Sequence, residues 1–435
     1  MNLPKTLGIL GAVVGGAVVG GPGPVFAQQV GVPDCSTLEN PIYMTGTTAV
    51  TPVVQLFGAR LKNVHLTLLW NSINDGCGSV GTFLNFRPNG VPVYSYFQES
   101  PNAIGKTVPF QCNGDPNKNA DLVINDVAYS SCLNNPSLPA TAAEFPGPVQ
   151  GVVPIVPSSF ISYNDVMAEE LQAMYTCGSS GGILGLNPIY DYSDPTGNSG
   201  LRQLFARCIG VQSAASITNN GGISYIGYSS GEAAKSMLIQ VSSDPEGTAF
   251  GYTSTEYYDQ YRNLVNALKV RSIIQKLAYW PDSDSSSPDK LNIREGRYTL
   301  QGTLRLVTSV DGTGVPTNPT VKNIIDWFQV NPVDPGAQLP FDMIQIYANS
   351  GVVPRCAMKV SNDGDKAVFK HFKPAQPCHC AFQVLATGKT SIPGCVPCGG
   401  SAGSVDGGVV DGGVTSTAGA CPADQICSHG YCEQP

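Results

Sequence analysis

The sequence has little charge, few histidines and no block of basic residues. Charged side chains make up 13% of the 435 residues, and the formal net charge is −8. Because nucleic-acid binding depends on clustered lysine and arginine, this composition excludes a nucleic-acid partner. The four histidines are His65, His371, His379 and His429, so three of them fall in the C-terminal region. That distribution argues against a Ser/His/Asp catalytic triad.

Long apolar runs are also missing after the N-terminal segment, where no stretch reaches about 18 consecutive apolar residues. We therefore expect no membrane insertion. Residues 1–27 are typical of a secretory signal peptide, because Lys5 precedes an apolar stretch from Leu7 to Gly21 and Val25-Phe26-Ala27 offers a cleavage site. The mature chain is expected in the periplasm or outside the cell.

Fourteen cysteines in an exported chain indicate disulfide bonds, since the compartments outside the cytoplasm are oxidising. The even number allows all of them to pair, but their spacing does not fix the connectivity. Cys378, Cys380, Cys395 and Cys398 also have a spacing that suits zinc. An exported location favours disulfides there, and we expect neither a metal nor another cofactor.

Short apolar runs alternate with helical periodicity from Pro41 to about Trp280, which predicts an α/β fold. Residues 136–148 are interpreted as a proline-rich connection. The predicted strands are 42–44, 64–70, 121–124, 149–156, 187–192, 223–230 and 298–308, and the predicted helices are 50–61, a segment beginning near Thr82, 165–175, 201–205, 256–278 and 321–328.

Three turns rich in Gly, Ser and Thr each stand between a predicted strand and a predicted helix. They are MTGTTAV (44–50), NDGCGSVGTF (74–83) and DPTGNSGLRQLF (194–205). Any one of them is a common way to begin a helix, with Asn198 or Ser199 placed to cap the last. Open α/β sheets, however, bind ligands at the carboxyl ends of their strands, where helix starts offer N–H groups to anions. Together the turns predict a small-anion site.

In order and spacing these turns resemble those of the periplasmic phosphate-binding proteins of ABC transporters, over residues 41–330. That family binds phosphate with a Gly-Ser/Thr turn, a Gly-x-Gly-Ser-x-Gly turn, an aspartate ending a D-x-x-x-x-D stretch, and a Gly-Ser-Gly-Thr turn preceded by arginine. DLVIND (121–126) supplies the aspartate here. The resemblance assigns ligand-binding roles to Thr47, Thr48, Ser79, Asp126, Ser199 and Gly200.

Two ligands of the family are missing from this sequence. Pro195 stands where the family has its arginine, and Leu201 replaces the threonine. Loss of the guanidinium removes a bidentate contact that is strong for phosphate. Arg202 is the candidate replacement, because many relatives carry arginine at that place. The alternative is that Arg202 is a surface residue of the helix.

The resemblance implies an α/β, two-lobed type 2 periplasmic binding protein fold with a hinge. We expect the region after residue 355 to be dispensable for ligand binding, because its Gly/Ser-rich part cannot bury a core. The expected segments are the signal peptide at 1–27, lobe 1 at 28–147 and 290–355, lobe 2 at 148–289, a cysteine-containing extension at 356–398, a disordered Gly/Ser-rich linker at 399–420 and a small disulfide-rich tail at 421–435.

The resemblance further implies a monomeric solute-binding protein that captures phosphate or a similar oxyanion for ABC-type import, with an inner-membrane permease as partner and no catalysis. The alternative is a secreted or surface-associated interaction protein that keeps the fold without tight phosphate binding, which Pro195, Leu201 and the cysteine-rich tail favour.

An enzyme is the third and least favoured interpretation. Ser180 lies in GSSGG (178–182), which satisfies the Gly-x-Ser-x-Gly pattern of hydrolases, but a helical pattern precedes it where a strand is required. Gly388-Lys389-Thr390 ends like a phosphate-binding loop, yet Gln383 occupies the place of the first glycine. Neither motif therefore predicts catalysis.

Overall fold

A computed structural model describes residues 31–72, 77, 80, 92–101, 106–132, 136–160, 164–177, 187–188, 199–211, 231–330, 339–362, 369–398 and 421–434. Several predicted features lie outside these residues. They are the signal peptide, Ser79, the helix near Thr82, Ser180, Pro195, Asn198, the strand at 223–230 and the linker at 399–420.

The described residues form a mixed α/β fold around a central sheet, as the sequence predicts. The strands are β1 Pro41–Gly46, β2 Thr67–Ser72, β3 Val93–Glu99, β4 Thr107–Asn113, β5 Leu122–Asn125, β6 Ala142–Pro157, β7 Asp165–Met167, β8 Asn187–Pro188, β9 Ala249–Ser254, β10 Val265–Ala267, β11 Lys269–Arg271, β12 Gln301–Ser309, β13 Val360–Ser361, β14 Lys370–His371, β15 Ile426–Ser428 and β16 Tyr431–Glu433.

The described helices pack on this sheet and at its ends. They are α1 Thr51–Leu61, α2 Ala168–Cys177, α3 Gly200–Cys208, α4 Gly231–Ser242, α5 Thr255–Tyr261, α6 Leu291–Arg294, α7 Pro319–Phe328, α8 Met343–Ser350 and α9 His379–Thr387. Among them, none is both long enough and apolar enough to cross a membrane.

The central sheet has the strand order β4-β3-β2-β1-β5-β12-β6-β9-β8, with β10 paired to β6. Strand β1 runs parallel to both β2 and β5. Strand β12 is antiparallel to β5 and β6, and β6 is antiparallel to β9. The first half of β6 thus pairs with the strand group around β1, and its second half pairs with β9 and β10. Strand β6 joins the two groups.

Strand β6 begins at Ala142, earlier than predicted, and includes part of the proline-rich segment. Pro146 lies opposite Arg305, next to a register shift between Thr303 and Arg305 of β12. A bulge relaxes the demand for a continuous hydrogen-bond ladder, so proline is accepted there. The prediction of a connection over 136–148 was therefore wrong from residue 142 onward.

The helix predicted over 256–278 was also wrong beyond Tyr261. Strand β10 instead pairs with the end of β6, and β11 pairs with β7. Ile273, Ile274 and Leu277, which gave this segment its apolar periodicity, are exposed. Pairing with neighbouring strands has overridden a local helical pattern, as tertiary contacts commonly do.

Local capping explains the helices that were predicted correctly. Helix α7 begins after Asn318, whose side chain accepts a hydrogen bond from the Thr320 backbone N–H at 3.0 Å. Pro319 follows at the first helical turn, where its missing N–H costs nothing. The helix then buries Val321, Ile324 and Phe328 in the main core.

Six disulfides confirm the prediction that the cysteines are oxidised. They join Cys35 to Cys112, Cys77 to Cys132, Cys356 to Cys378, Cys380 to Cys395, Cys398 to Cys427 and Cys421 to Cys432. Each of the four cysteines with zinc-like spacing is in a disulfide. Cys208 is buried and takes part in none of the six.

The region after residue 355 contributes to the same core as the rest of the described chain, and its expected dispensability for ligand binding stays a prediction. Phe382 of α9 and Cys378 are buried in the main hydrophobic cluster. The Lys359 N–H donates to the Arg294 carbonyl oxygen at 2.9 Å, and the Arg294 guanidinium lies over the Phe382 ring at 5.6 Å. Residues 33–435 form one compact unit.

We predict that Phe382→Ala destabilises the whole protein. Removal of a buried phenyl ring leaves a cavity, which costs about 3–5 kcal/mol. Chemical denaturation with the disulfides intact measures this loss. Val396→Ala is the control in the same extension, because Val396 is exposed and its truncation should change the free energy of unfolding by less than about 0.5 kcal/mol. Equal effects of the two substitutions would show that the extension is not part of the core.

Candidate functional site

Two of the predicted site segments follow adjacent parallel strands. Thr47 and Thr48 come directly after β1, and Asp126 comes directly after β5. The Thr47 N–H donates to the Ile124 carbonyl oxygen at 3.0 Å, which fixes the turn against β5. Gly46 makes this possible, since a Cβ there would lie 2.2 Å from the same oxygen. The carboxyl ends of the two strands therefore form one edge of the site.

The start of α3 lies directly against this edge. A Cβ on Gly200 would come within 2.5 Å of Asp126 Oδ2 and 2.8 Å of Asn125 Oδ1. Ser199 occupies the N-cap position, as predicted, but its side chain makes no capping hydrogen bond. The hydroxyl of a buried N-cap serine is thus not used to close its own helix.

Asp126 is fully buried, and its Oδ1 accepts a hydrogen bond from Gln150 Nε2 at 2.6 Å. Burial raises the pKa of Asp126 to about 6, because a charged carboxylate is poorly solvated in the interior. Three hydrogen-bond donors oppose the effect of burial and lower this pKa: the Thr47 hydroxyl, the Gln150 amide and the Leu201 N–H. These three donors favour the negative charge on Asp126.

Residues of β6, β9 and α5 form the opposite side of the site. The Tyr257 hydroxyl donates to the Thr48 carbonyl oxygen at 3.1 Å, and the Gly151 N–H donates to Thr255 Oγ1 at 3.1 Å. These bonds attach the beginning of α5 both to the turn after β1 and to the residue after Gln150. Glu256 is consequently held in the neighbourhood of Asp126.

Glu256 is a buried carboxyl group that the sequence analysis missed. Its pKa is raised to about 8, first by burial and then by the negative charge of Asp126, and this value includes the opposing effect of its own N–H and of the Ser254 and Thr255 hydroxyls. Strand β9, which ends just before it, was not predicted. Had β9 been predicted from its sequence, the glutamate that follows this buried strand would have been a candidate site residue.

The structure brings most of the predicted site residues together. Thr47, Thr48, Asp126, Ser199 and Gly200 are all buried around the junction described above. Ser79 lies outside the described residues. Its neighbour Cys77 is joined to Cys132, and Cys132 Sγ lies 3.7 Å from Asn125 Nδ2, so the second turn begins near the same strand end.

The structure also distinguishes the two interpretations of Arg202. Its side chain is 1% exposed, which excludes the surface position. Leu201 is buried in the main hydrophobic cluster, so the residue that replaces the family's threonine packs in the core. The start of α3 therefore contributes Ser199, Gly200 and its backbone N–H groups to the site, and no hydroxyl at residue 201.

Three acceptor atoms in the site are left unsatisfied. Among the described residues, Asp126 Oδ2, Gln150 Oε1 and Glu256 Oε1 are buried without a hydrogen-bond partner of normal geometry. An unsatisfied buried polar atom costs about 1–3 kcal/mol, so such atoms rarely cluster without a reason. The arrangement suits a small polar ligand that can donate as well as accept hydrogen bonds.

No protein-family model matches this chain, and no curated protein matches it. Solved structures do. A high affinity periplasmic phosphate-binding protein, PfluDING, bound with phosphate, is 14% identical over 72% of this chain and 90% of its own, with a TM-score of 0.44. An ABC-type phosphate transport receptor from Vibrio cholerae is 13% identical over 72% of this chain and 99% of its own, with a TM-score of 0.41. A possible phosphate binding protein from Planctomyces limnophilus is 11% identical over 73% and 94%, with a TM-score of 0.40.

We predict that Gly200→Ala destabilises the protein because the new methyl group would overlap the Asp126 carboxylate. Overpacking of this kind costs about 1–3 kcal/mol. Gly58→Ala is the matched control, since Gly58 is also helical but its Cβ would meet Leu68 at an ordinary 3.5 Å. Alanine should be neutral or stabilising there by up to about 1 kcal/mol. Thermal unfolding of both variants tests the contrast, and a harmless Gly200→Ala would contradict the close approach.

We also predict a pH-dependent effect of Asp126→Asn. The folded-state pKa of Asp126, about 6, lies above its usual 3.8, so the folded state binds the proton more tightly than the unfolded state. The wild type therefore gains stability relative to the Asn variant as the pH falls from 8 to 4, by about 2–3 kcal/mol at most.

Asp311→Asn is the control for this measurement, because hydrogen bonds from Thr313 lower the pKa of the exposed Asp311 carboxyl. The wild type should therefore lose stability relative to the Asp311→Asn variant as the pH falls. Denaturation at a series of pH values measures both. If the difference in unfolding free energy between wild type and Asp126→Asn did not change with pH, the raised pKa of Asp126 would be refuted.

Proposed function

We propose that this chain is an exported solute-binding protein that captures phosphate at the junction of β1, β5 and α3. One observation carries the proposal: the start of α3, with a buried N-cap hydroxyl that makes no capping bond, meets a buried carboxylate and two threonines at the ends of parallel strands. Hydroxyl and N–H groups bind oxyanions, and the positive end of the helix dipole adds to the attraction.

Asp126 gives the proposed site its selectivity. A carboxylate can only accept hydrogen bonds, so beside an anion it requires a ligand that still carries a proton. Phosphate near neutral pH keeps at least one P–OH group, whereas sulfate has none. A sulfate would leave the Asp126 charge buried and repelled, which disfavours binding. The proposed ligand is therefore phosphate in preference to sulfate.

The other proposed contacts come from Thr47, Thr48, Ser79, Gly200 and Arg202. Burial of the Arg202 guanidinium supports a role in place of the arginine that the sequence lacks at Pro195. We further propose that the protein acts as a monomer, that motion about β6 and the segment before β12 closes the site, and that an inner-membrane ABC permease receives the ligand.

We propose binding and not catalysis because no histidine stands among the described residues of the site to act as the base for one of its hydroxyls. His65 is exposed, and His371, His379 and His429 belong to the C-terminal extension and tail. Burial of Leu201 in the core favours one competing function, an interaction protein with weak phosphate binding, since no hydroxyl stands at that position.

Calorimetry with phosphate and with sulfate tests the proposal. The wild type should prefer phosphate, and Asp126→Asn should lose most of that preference because the amide can donate to sulfate. Asp311→Asn, in an exposed turn, should behave as the wild type does. Native mass spectrometry of the purified protein should show retained phosphate as added mass. A wild type that binds neither anion would favour the interaction protein, and equal affinities for the two would refute the role of Asp126.

A further inference from the structure

We propose that Glu256 is an additional ligand-binding residue of the phosphate site and that it acts as a neutral carboxylic acid, donating a hydrogen bond to the bound anion. The proposal rests on the phosphate-binding function above. It concerns a residue of α5, the helix whose Tyr257 bonds to the turn after β1, and it makes phosphate binding depend on a proton held by the protein.

The position of Glu256 is fixed by its neighbours. Thr255 is bound to Gly151, Tyr257 is bound to Thr48, and Gln150, next to Gly151, is bound to Asp126. Glu256 is therefore linked to the Thr48 turn through one hydrogen bond of its neighbour Tyr257. It is linked to Asp126 through two, between Gly151 and Thr255 and between Gln150 and Asp126. Its carboxyl group is fully buried and interacts electrostatically with Asp126.

Two neighbouring buried carboxyl groups do not both ionise readily, so one of them keeps its proton. Asp126 has the Gln150 amide, the Thr47 hydroxyl and the Leu201 N–H to stabilise its negative charge. Each carboxyl group has one oxygen without a partner of normal geometry among the described residues, Asp126 Oδ2 and Glu256 Oε1. The other oxygens differ, because the Gln150 amide lies 2.6 Å from Asp126 Oδ1, whereas the Thr255 hydroxyl lies 3.2 Å from Glu256 Oε2. The proton therefore resides on Glu256, and its O–H has a ligand as its natural acceptor.

Among the described residues, no cation acts on the pKa of Glu256. Asp126 is the charged group that raises the pKa of Glu256. Asp259, one turn along α5, is neutralised by the Lys290 ammonium at 2.7 Å and by Arg262. The other titratable groups on α5 and on the elements packed against it are Glu144 on β6, Tyr252 on β9, Glu232 and Lys235 on α4, and Tyr257, Tyr258 and Tyr261 on α5.

The consequence is an upper pH limit for binding. When Glu256 loses its proton, the site gains a second negative charge and loses a donor, so the anion is repelled. Affinity should fall by about tenfold for each pH unit above the pKa of Glu256, which is about 8. Glu256→Gln keeps a neutral donor of the same shape and removes this fall.

Calorimetric titration with inorganic phosphate from pH 6.5 to 9.5 at constant ionic strength tests the proposal. Phosphate's own ionisation affects all variants alike. The ratio of wild-type to Glu256→Gln affinity therefore reports the effect of Glu256 ionisation alone. This ratio should be near one at pH 6.5 and fall to about one-tenth or less at pH 9.5. Glu433→Gln is the control, because Glu433 is also a carboxyl whose pKa is raised by burial, but it bonds to the Cys380 N–H. It should follow the wild type.

The outcomes separate this proposal from the function on which it rests. Wild type that fails to bind phosphate at pH 6.5 would overturn the proposed function. Binding at pH 6.5 with a ratio that stays constant to pH 9.5 would overturn the role of Glu256 alone. Wild-type titrations at pH 9 in two buffers of different ionisation enthalpy give a second measurement that needs no variant. Uptake of about one proton on binding supports the proposal, and binding without uptake overturns it.

Discussion

The hydrogen bond between Gln150 and Asp126 connects the two parts of the sheet at the place where the ligand would bind. Gln150 belongs to β6, the strand shared by the group around β1 and the group around β9, and Asp126 ends β5. The Gly151 N–H next to it binds Thr255 at the start of α5, and Gly200 of α3 lies against the Asp126 carboxylate. Two helices and two strands therefore take their positions from one buried carboxylate and its neighbours.

Burying that carboxylate has an electrostatic cost that determines the chemistry of the site. The pKa values of Asp126 and Glu256 are both raised by burial, and Asp126 has the closer donor, the Gln150 amide at 2.6 Å. One group is thus suited to accept a hydrogen bond from a ligand and the other to donate one. A protonated oxyanion, which does both, is complementary to this pair, whereas a fully deprotonated anion meets an unshielded charge.

Elements with a strong local pattern were predictable, and elements defined by distant partners were not. Helix α7 has its own cap and apolar stripe, and β5 is a short run of apolar residues between polar ones, so both were found from the sequence. The segment after Tyr261 has helical periodicity, but β10 and β11 gain more from pairing with β6 and β7. Phe382 likewise gave no local sign that it packs in the main core, because its partners lie far away in sequence.

By itself the sequence determined the order of the three turns, the α/β class and the oxidised state of the cysteines, because these depend on local composition and spacing. It also predicted Thr47, Thr48, Asp126, Ser199 and Gly200 as site residues, and these stand next to strand and helix ends. Tertiary structure alone decided the disulfide pairing, the burial of Arg202 and the presence of Gln150 and Glu256 beside Asp126. The last two residues come from a strand and a helix separated by about a hundred positions, and chain folding brings them together through hydrogen bonds that no local pattern encodes.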